Sequence, residues 1–124
     1  MLNRTEIESG LEQFTGTEHY YRHSPGFVLT DGAKWLAESA GCYWLYDIAW
    51  SVAQKPKLRR EPFWTLTLTT GIEAHKGKVK ITDGNDRVLY VQSIPYTDFP
   101  LPTITLFIEA DGLGSRVILL PGEH

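Results

Sequence analysis

From Phe63 to Thr70 the apolar Trp64, Leu66 and Leu68 alternate with Thr65, Thr67 and Thr69. A strand sends successive side chains to opposite faces, so this rhythm predicts a strand with one apolar and one wet side. Lys78-Val79-Lys80-Ile81-Thr82 repeats it, and Asp83-Gly84-Asn85-Asp86 has hairpin chemistry because Gly and Asn tolerate positive φ. Residues 87–94 read as the returning strand and 95–102 as a stiff, proline-bounded loop. A strand over 103–109 points Ile104, Leu106 and Ile108 inward, and Asp111-Gly112-Leu113-Gly114 turns into a last strand over 116–120. Strands joined by short turns predict an antiparallel meander of about five strands.

The first half follows helical spacing. Asn3 can cap a helix over residues 3–14, with Glu6 in capping-box position and Ile7, Leu11 and Phe14 on one face. The aromatic and β-branched segments Glu18-His19-Tyr20-Tyr21-Arg22-His23 and Phe27-Val28-Leu29-Thr30, joined by Ser24-Pro25-Gly26, read as two short strands. Asp31 is a candidate cap for a helix over 32–40 that Gly41 closes. A second helix is expected over 43–53, where apolar groups lie nearly all round and imply a buried central helix. Residues 54–62 read as a polar linker, since Pro56 and Pro62 interrupt a helix. The expected fold is therefore α+β: N-terminal helices packed on one face of a C-terminal antiparallel sheet, all in a single domain over residues 1–124.

Composition sharpens this picture in a few places. A chain of 124 residues with 42% hydrophobic and 22% charged residues suits one folded domain. Its formal charge of −3 does not suggest a protein built around a nucleic-acid backbone. The lone Cys42 excludes an internal disulfide and fits a reducing, cytoplasmic compartment. The N-terminal residues lack the apolar core of a secretory signal. Aromatic residues reach 12%, and such rings either fill a core or, where exposed, make a binding face.

Candidate chemistry concentrates in a polar cluster of His19, Arg22, His23, Asp31, Asp47, Tyr96 and Asp98. His19 and His23 have the i,i+4 spacing of a helical metal pair, but on a strand they stand roughly 13 Å apart at ~3.3 Å per residue. Two imidazoles at that separation cannot share a zinc ion, so neither metal nor cofactor is expected. Asp47 sits mid-helix among aromatics and needs solvent or a partner, for which Arg22 is a candidate. Asp98 is expected to organise its own loop. Cys42 lies in an apolar stretch and reads as a buried thiol rather than a nucleophile. No phosphate loop or nucleophile elbow is present.

One resemblance spans nearly the whole chain. Phe14-Thr15-Gly16-Thr17-Glu18 with Tyr21-Arg22-His23, Thr30-Asp31-Gly32 before Leu36-Ala37-Glu38, and Tyr43-Trp44-Leu45 with Asp47 come first; Ile94-Pro95-Tyr96-Thr97-Asp98-Phe99-Pro100-Leu101 and Leu119-Leu120-Pro121 follow in order. The pattern resembles a family of uncharacterised small bacterial proteins, catalogued as a domain of unknown function and often found near phage or plasmid genes. Asp83-Gly84-Asn85 matches that family's acidic turn. The resemblance implies a bacterial or mobile-element origin and an α+β domain, and no catalytic residue.

Three classes of function follow. The leading one is a non-enzymatic binding or accessory protein acting through protein contacts, or a homodimer, with Tyr20, Tyr21, Arg22, Trp50 and Tyr96 as anchors. The second is a small-ligand binder or hydrolase-like enzyme in which His19, His23, Asp31, Asp47 and Asp98 converge. The third is a nucleic-acid binder using Lys55, Lys57, Arg59 and Arg60 with Lys76, Lys78 and Lys80, and with Phe63 and Trp64 stacking on bases.

Overall fold

A computed structural model describes residues 2–71 and 75–124. Helix α1 (Arg4–Leu11) leads into strands β1 (Tyr20–Ser24) and β2 (Phe27–Thr30), followed by α2 (Asp31–Ala40), α3 (Tyr43–Val52) and the short α4 (Pro56–Arg59). Strands β3 (Phe63–Thr70), β4 (Gly77–Thr82), β5 (Val88–Ile94), β6 (Thr103–Ala110) and β7 (Arg116–Leu119) complete the chain with a terminal 3-10 turn at Pro121–Glu123.

The α+β class and the antiparallel character of the C-terminal strands agree with the sequence, but the sheet is larger than a five-stranded meander. Seven strands run in the order β1-β2-β7-β6-β3-β4-β5. β3 pairs with β4 on one side and β6 on the other, so the proline-bounded loop after β5 carries the chain back across the sheet. The early hairpin joins through β2, which pairs with β7 in parallel, the exception among antiparallel neighbours. The segment after α3 also departs from a plain linker: Pro56 opens α4 at a position where its missing N–H is no loss.

Local chemistry explains the helix ends. Asn3 caps α1 with Glu6 in a reciprocal capping box. Thr30, rather than Asp31, caps α2 by accepting from Ala33 N. Gly41 ends α2 in the left-handed region with φ 65°. Gly10 lets α1 lie against the Trp35 ring, since a Cβ there would stand 2.1 Å from Trp35 Cη2.

Strand β3 buries Trp64, Leu66 and Leu68 while Thr65, Thr67 and Thr69 stay part-exposed. These side chains join Val79, Ile81, Leu106, Ile108 and Ile118 from the sheet with Leu36, Leu45, Tyr46 and Ala49 from the helices in one core. α3 is less enclosed than its composition predicts: Tyr43, Asp47 and Trp50 are exposed along one side.

The C-terminus locks onto the start of α2. Glu123 Oε1 accepts from Thr30 Oγ1 at 2.6 Å and Leu120 N at 3.0 Å, and Glu123 Oε2 accepts from Gly32 N at 3.0 Å. A carboxylate is favoured here, because a helix N-terminus presents unsatisfied N–H groups. A Cβ on Gly32 would meet both Glu123 Oε1 and Leu120 Cδ1 at 2.6 Å.

Two stability effects are expected. Leu66→Ala removes a fully buried side chain at the centre of the core and should cost about 2–5 kcal/mol in urea unfolding. Gly32→Ala should cost about 1–3 kcal/mol by forcing Glu123 and Leu120 off the start of α2, with only part of the loss removed when Glu123→Ala is already present, because the Leu120 contact remains.

Candidate functional site

Trp64 brings a polar N–H into the core, so its indole requires an acceptor. The connection after α3 supplies two: Trp64 Nε1 donates to Leu58 O at 3.0 Å and to Glu61 O at 3.1 Å. Arg116 opens β7 opposite Phe27 of β2 and extends over the same indole, with its guanidinium carbon 4.1 Å from the Trp64 ring. Its Nη2 donates to Leu58 O at 3.2 Å and Arg59 O at 3.3 Å. Its Nη1 is buried and has no acceptor among the described residues. Burial pulls the Arg116 pKa below its ordinary value, yet a guanidinium keeps its charge.

That guanidinium forms part of the wall of a pocket of about 450 Å3. The turn residues Pro25 and Gly26 with Phe27 form one side, Trp50, Ala53 and Gln54 a second, and Ala110, Gly112, Gly114, Ser115 and Arg116 a third, with Arg59 between. Trp50 Nε1 donates to Pro25 O at 3.2 Å and ties α3 to the early hairpin. Among the described residues no Asp or Glu lines the pocket. The acid next to it, Asp111, turns Oδ1 into its own loop, where it accepts from Leu113 N at 2.7 Å and Ser115 N at 3.1 Å. The pocket therefore has two arginines, an indole, an amide and a hydroxyl, without a carboxylate to neutralise them. Such a donor set suits an anion, since an arginine fork matches the geometry of carboxylate and phosphate oxygens.

The residues singled out in the sequence occupy several separate places. His23 Nε2 lies 2.7 Å from Asp47 Oδ1, while its ring stacks on Tyr43 at 5.7 Å and meets the Tyr46 edge at 6.1 Å. Asp47 thus pairs with His23, not Arg22, because strand alternation puts His23 on the part-buried side of β1 with Tyr21 and leaves Arg22 exposed. Arg22 is exposed and, among the described residues, makes no ion pair. Asp31 accepts from Glu18 N at 2.9 Å and lies 3.7 Å from His19 Nδ1. The Glu18 amide, with help from Tyr21 and Thr17, holds the Asp31 carboxyl below its usual range. The hydrogen bond to Asp31 raises the Tyr21 pKa in turn, and Lys34 Nζ sits 4.4 Å over the Tyr21 ring. Tyr20 is 63% exposed on the outermost strand.

Tyr96 and Asp98 lie elsewhere, on the loop between β5 and β6. Tyr96 stacks on His75 at 5.1 Å. Asp98 lines a different cleft of about 270 Å3 with Thr70, Gly71, His75, Lys76, Thr97 and Phe99. Thr97, not Asp98, organises this loop: its hydroxyl accepts from Phe99 N at 3.1 Å. Among the described residues no three His, Cys, Asp or Glu side chains gather as metal ligands. Lys78 and Lys80 line a groove on the threonine side of the sheet together with Asp86. Trp64 is fully buried and so is closed to bases. Arg116 itself carried one sequence signal, an arginine in step with the apolar Ile118 and Leu120.

The chain belongs to a family described as "Family of unknown function (DUF6876)", which matches residues 5–124. This agrees with the resemblance to uncharacterised proteins seen in the motifs. The fold is similar to that of a protein of unknown function from Enterococcus faecalis, known from a crystal structure, at 20% identity and a TM-score of 0.57. The similarity covers 80% of this chain and 90% of that one. No curated protein matches the sequence.

Two chemical predictions follow from these environments. Cys42 is buried, and desolvation pushes its thiol up to about 12, so iodoacetamide should leave it unmodified in the native protein at pH 8 and label it fully in urea. Asp31 has a lowered folded pKa, so its stabilisation is present above the unfolded carboxyl pKa and lost as pH falls through the folded one. Asp31→Asn should therefore lower the urea midpoint at neutral pH and match the parent protein in strong acid.

Proposed function

We propose that this protein is a non-enzymatic binding module whose ligand presents an anionic group to the pocket walled by Arg116. The observation that carries this reading is a pocket wall that holds the guanidinium groups of Arg59 and the part-buried Arg116 and, among the described residues, no carboxylate. A guanidinium with no carboxylate beside it takes a carboxylate or phosphate as its natural complement. The His–Asp pairs do not compete as catalytic centres on present geometry. His23 and Asp47 brace β1 against α3, while His19 and Asp31 lie at the start of α2. Neither pair adjoins a nucleophile that it would activate: Cys42 is buried and held protonated, and the Tyr46 hydroxyl donates to Ala33 O at 2.7 Å.

The test is a two-dimensional amide NMR titration with sodium acetate and, separately, inorganic phosphate. Saturable shifts are expected at the Trp50 indole N–H and at Gly26, Gly112, Gly114 and Ser115. Arg59→Gln should weaken the response about three- to tenfold, because a charge-assisted contact is lost while the fold-bearing Arg116 is retained. Shifts that do not saturate, or that saturate only in other parts of the sheet, would exclude the pocket as an anion site.

A further inference from the structure

The pocket continues into a surface that a small anion would leave uncovered. Leu113, on the turn between the pocket residues Gly112 and Gly114, is 89% exposed, and Trp50 is 44% exposed. On the other side stands α4 with its flanking residues, in which Lys55, Lys57, Arg59 and Arg60 are all exposed. Arg60 Nε is turned onto Pro56 O at 3.1 Å, and no acid pairs with Lys55, Lys57 or Arg59 among the described residues. Arg59, which lines the pocket with Arg116, thus stands in a run of exposed basic residues.

We infer that the occupant of this opening is an acidic peptide segment of a partner protein, a carboxylate seated against Arg59 and Arg116 and an apolar side chain laid over Trp50 and Leu113. This rests on the reading of the pocket as an anion site and specifies its source. Three observations favour a peptide over a free anion. First, Trp50 in the pocket wall and Leu113 on the turn between the lining residues Gly112 and Gly114 are both exposed, and burial of apolar surface from water is favourable. Second, tryptophan and arginine are the residue types that dominate binding energy at protein interfaces, and here both surround one concavity. Third, the pocket residue Arg59 is flanked in sequence by the exposed Lys55, Lys57 and Arg60, and such a run suits a segment with more than one acidic residue.

The experiment is selection of a displayed library of random peptides, about twelve residues long, against the immobilised full chain, followed by fluorescence anisotropy with the recovered peptides. Recovered sequences should combine Asp or Glu with a neighbouring Leu, Phe or Trp. Their affinity should fall about tenfold in Arg59→Glu and in Leu113→Asp, two exposed positions at which circular dichroism and Tm should be unchanged. Affinity should also fall several-fold between about 50 and about 300 mM NaCl, as screening predicts. Failure to recover any peptide, recovery without acidic enrichment, or indifference to both substitutions would overturn the inference. So would an oligothymidylate that binds as tightly and with the same dependence on Arg59 and Leu113, since that would assign the surface to nucleic acid. If acetate and phosphate still shift the pocket resonances while no acidic peptide binds, the anion site stands and the peptide assignment falls. If both tests fail, the underlying reading fails with it.

Discussion

The carbonyl of Leu58 receives both the Trp64 indole and the Arg116 guanidinium, and this junction holds the two halves of the protein in place. Leu58 lies in α4, Trp64 in β3 and Arg116 in β7, so one oxygen ties the helix-to-sheet connection to two strands that are not neighbours. Four residues make too short a helix to persist alone, because nucleation costs more than one turn returns. α4 is stabilised instead by Leu58 packing into the core and by its free carbonyls meeting donors from the sheet. The cation and the indole also face each other at 4.1 Å, an interaction that strengthens when water is excluded.

A second constraint acts at the opposite end of β7. After Leu119 the chain makes a single 3-10 turn, and Glu123 reaches the junction between β2 and α2 through two hydrogen bonds while accepting a third from Leu120 N in its own turn. Those bonds satisfy Thr30, which simultaneously caps α2, and the amide of Gly32. Thr30 Oγ1 also approaches Ile118 O at 3.3 Å, so the pairing of β2 with β7 is reinforced by side chains as well as by the ladder. A parallel pair lacks the short turn that fixes an antiparallel one, and this lock supplies part of what the missing turn would have provided.

Much of the architecture is legible in the sequence because burial imposes a period. The strand alternation of Trp64-Thr65-Leu66-Thr67-Leu68, the Asn3–Glu6 capping box and the Gly41 stop each express one local rule, and each holds. The order of strands does not follow from local rules. Periodicity says which face of β6 is apolar but not whether β6 lies beside β5 or beside β3, and the loop over 95–102 is long enough for either. The role of Asp47 was hidden for a related reason. Alternation puts Tyr21 and His23 on one side of β1 and Arg22 on the other, but which of them meets Asp47 depends on how α3 lies against β1, a tertiary contact that no local pattern expresses. The enzyme or small-ligand alternative required His19, His23, Asp31, Asp47 and Asp98 to converge. The topology separates Asp98 from the others, since it belongs to the loop after the edge strand β5 while the histidines lie at and beside β1 on the opposite edge.

The position of the pocket is a consequence of that same topology. β2 and β7 run in the same direction, so their first residues, Phe27 and Arg116, face each other at one end of the sheet. Each strand is entered through a tight turn, Pro25-Gly26 for β2 and Gly112-Leu113-Gly114 for β7. Two turns that would lie at opposite ends of an antiparallel pair are therefore brought side by side. Arg116 N donates to Gly26 O at 2.7 Å and closes the gap between them. α3 ends over this spot because its Trp50 indole is bonded to Pro25 O, and α4 completes the wall through Leu58 and Arg59. The concavity, its glycine-rich rim and its uncompensated guanidinium thus arise from one parallel strand pair inserted into an otherwise antiparallel sheet. Loops held by rigid elements are where binding residues accumulate, and here the rigid element that sets the loops is the β2–β7 ladder itself.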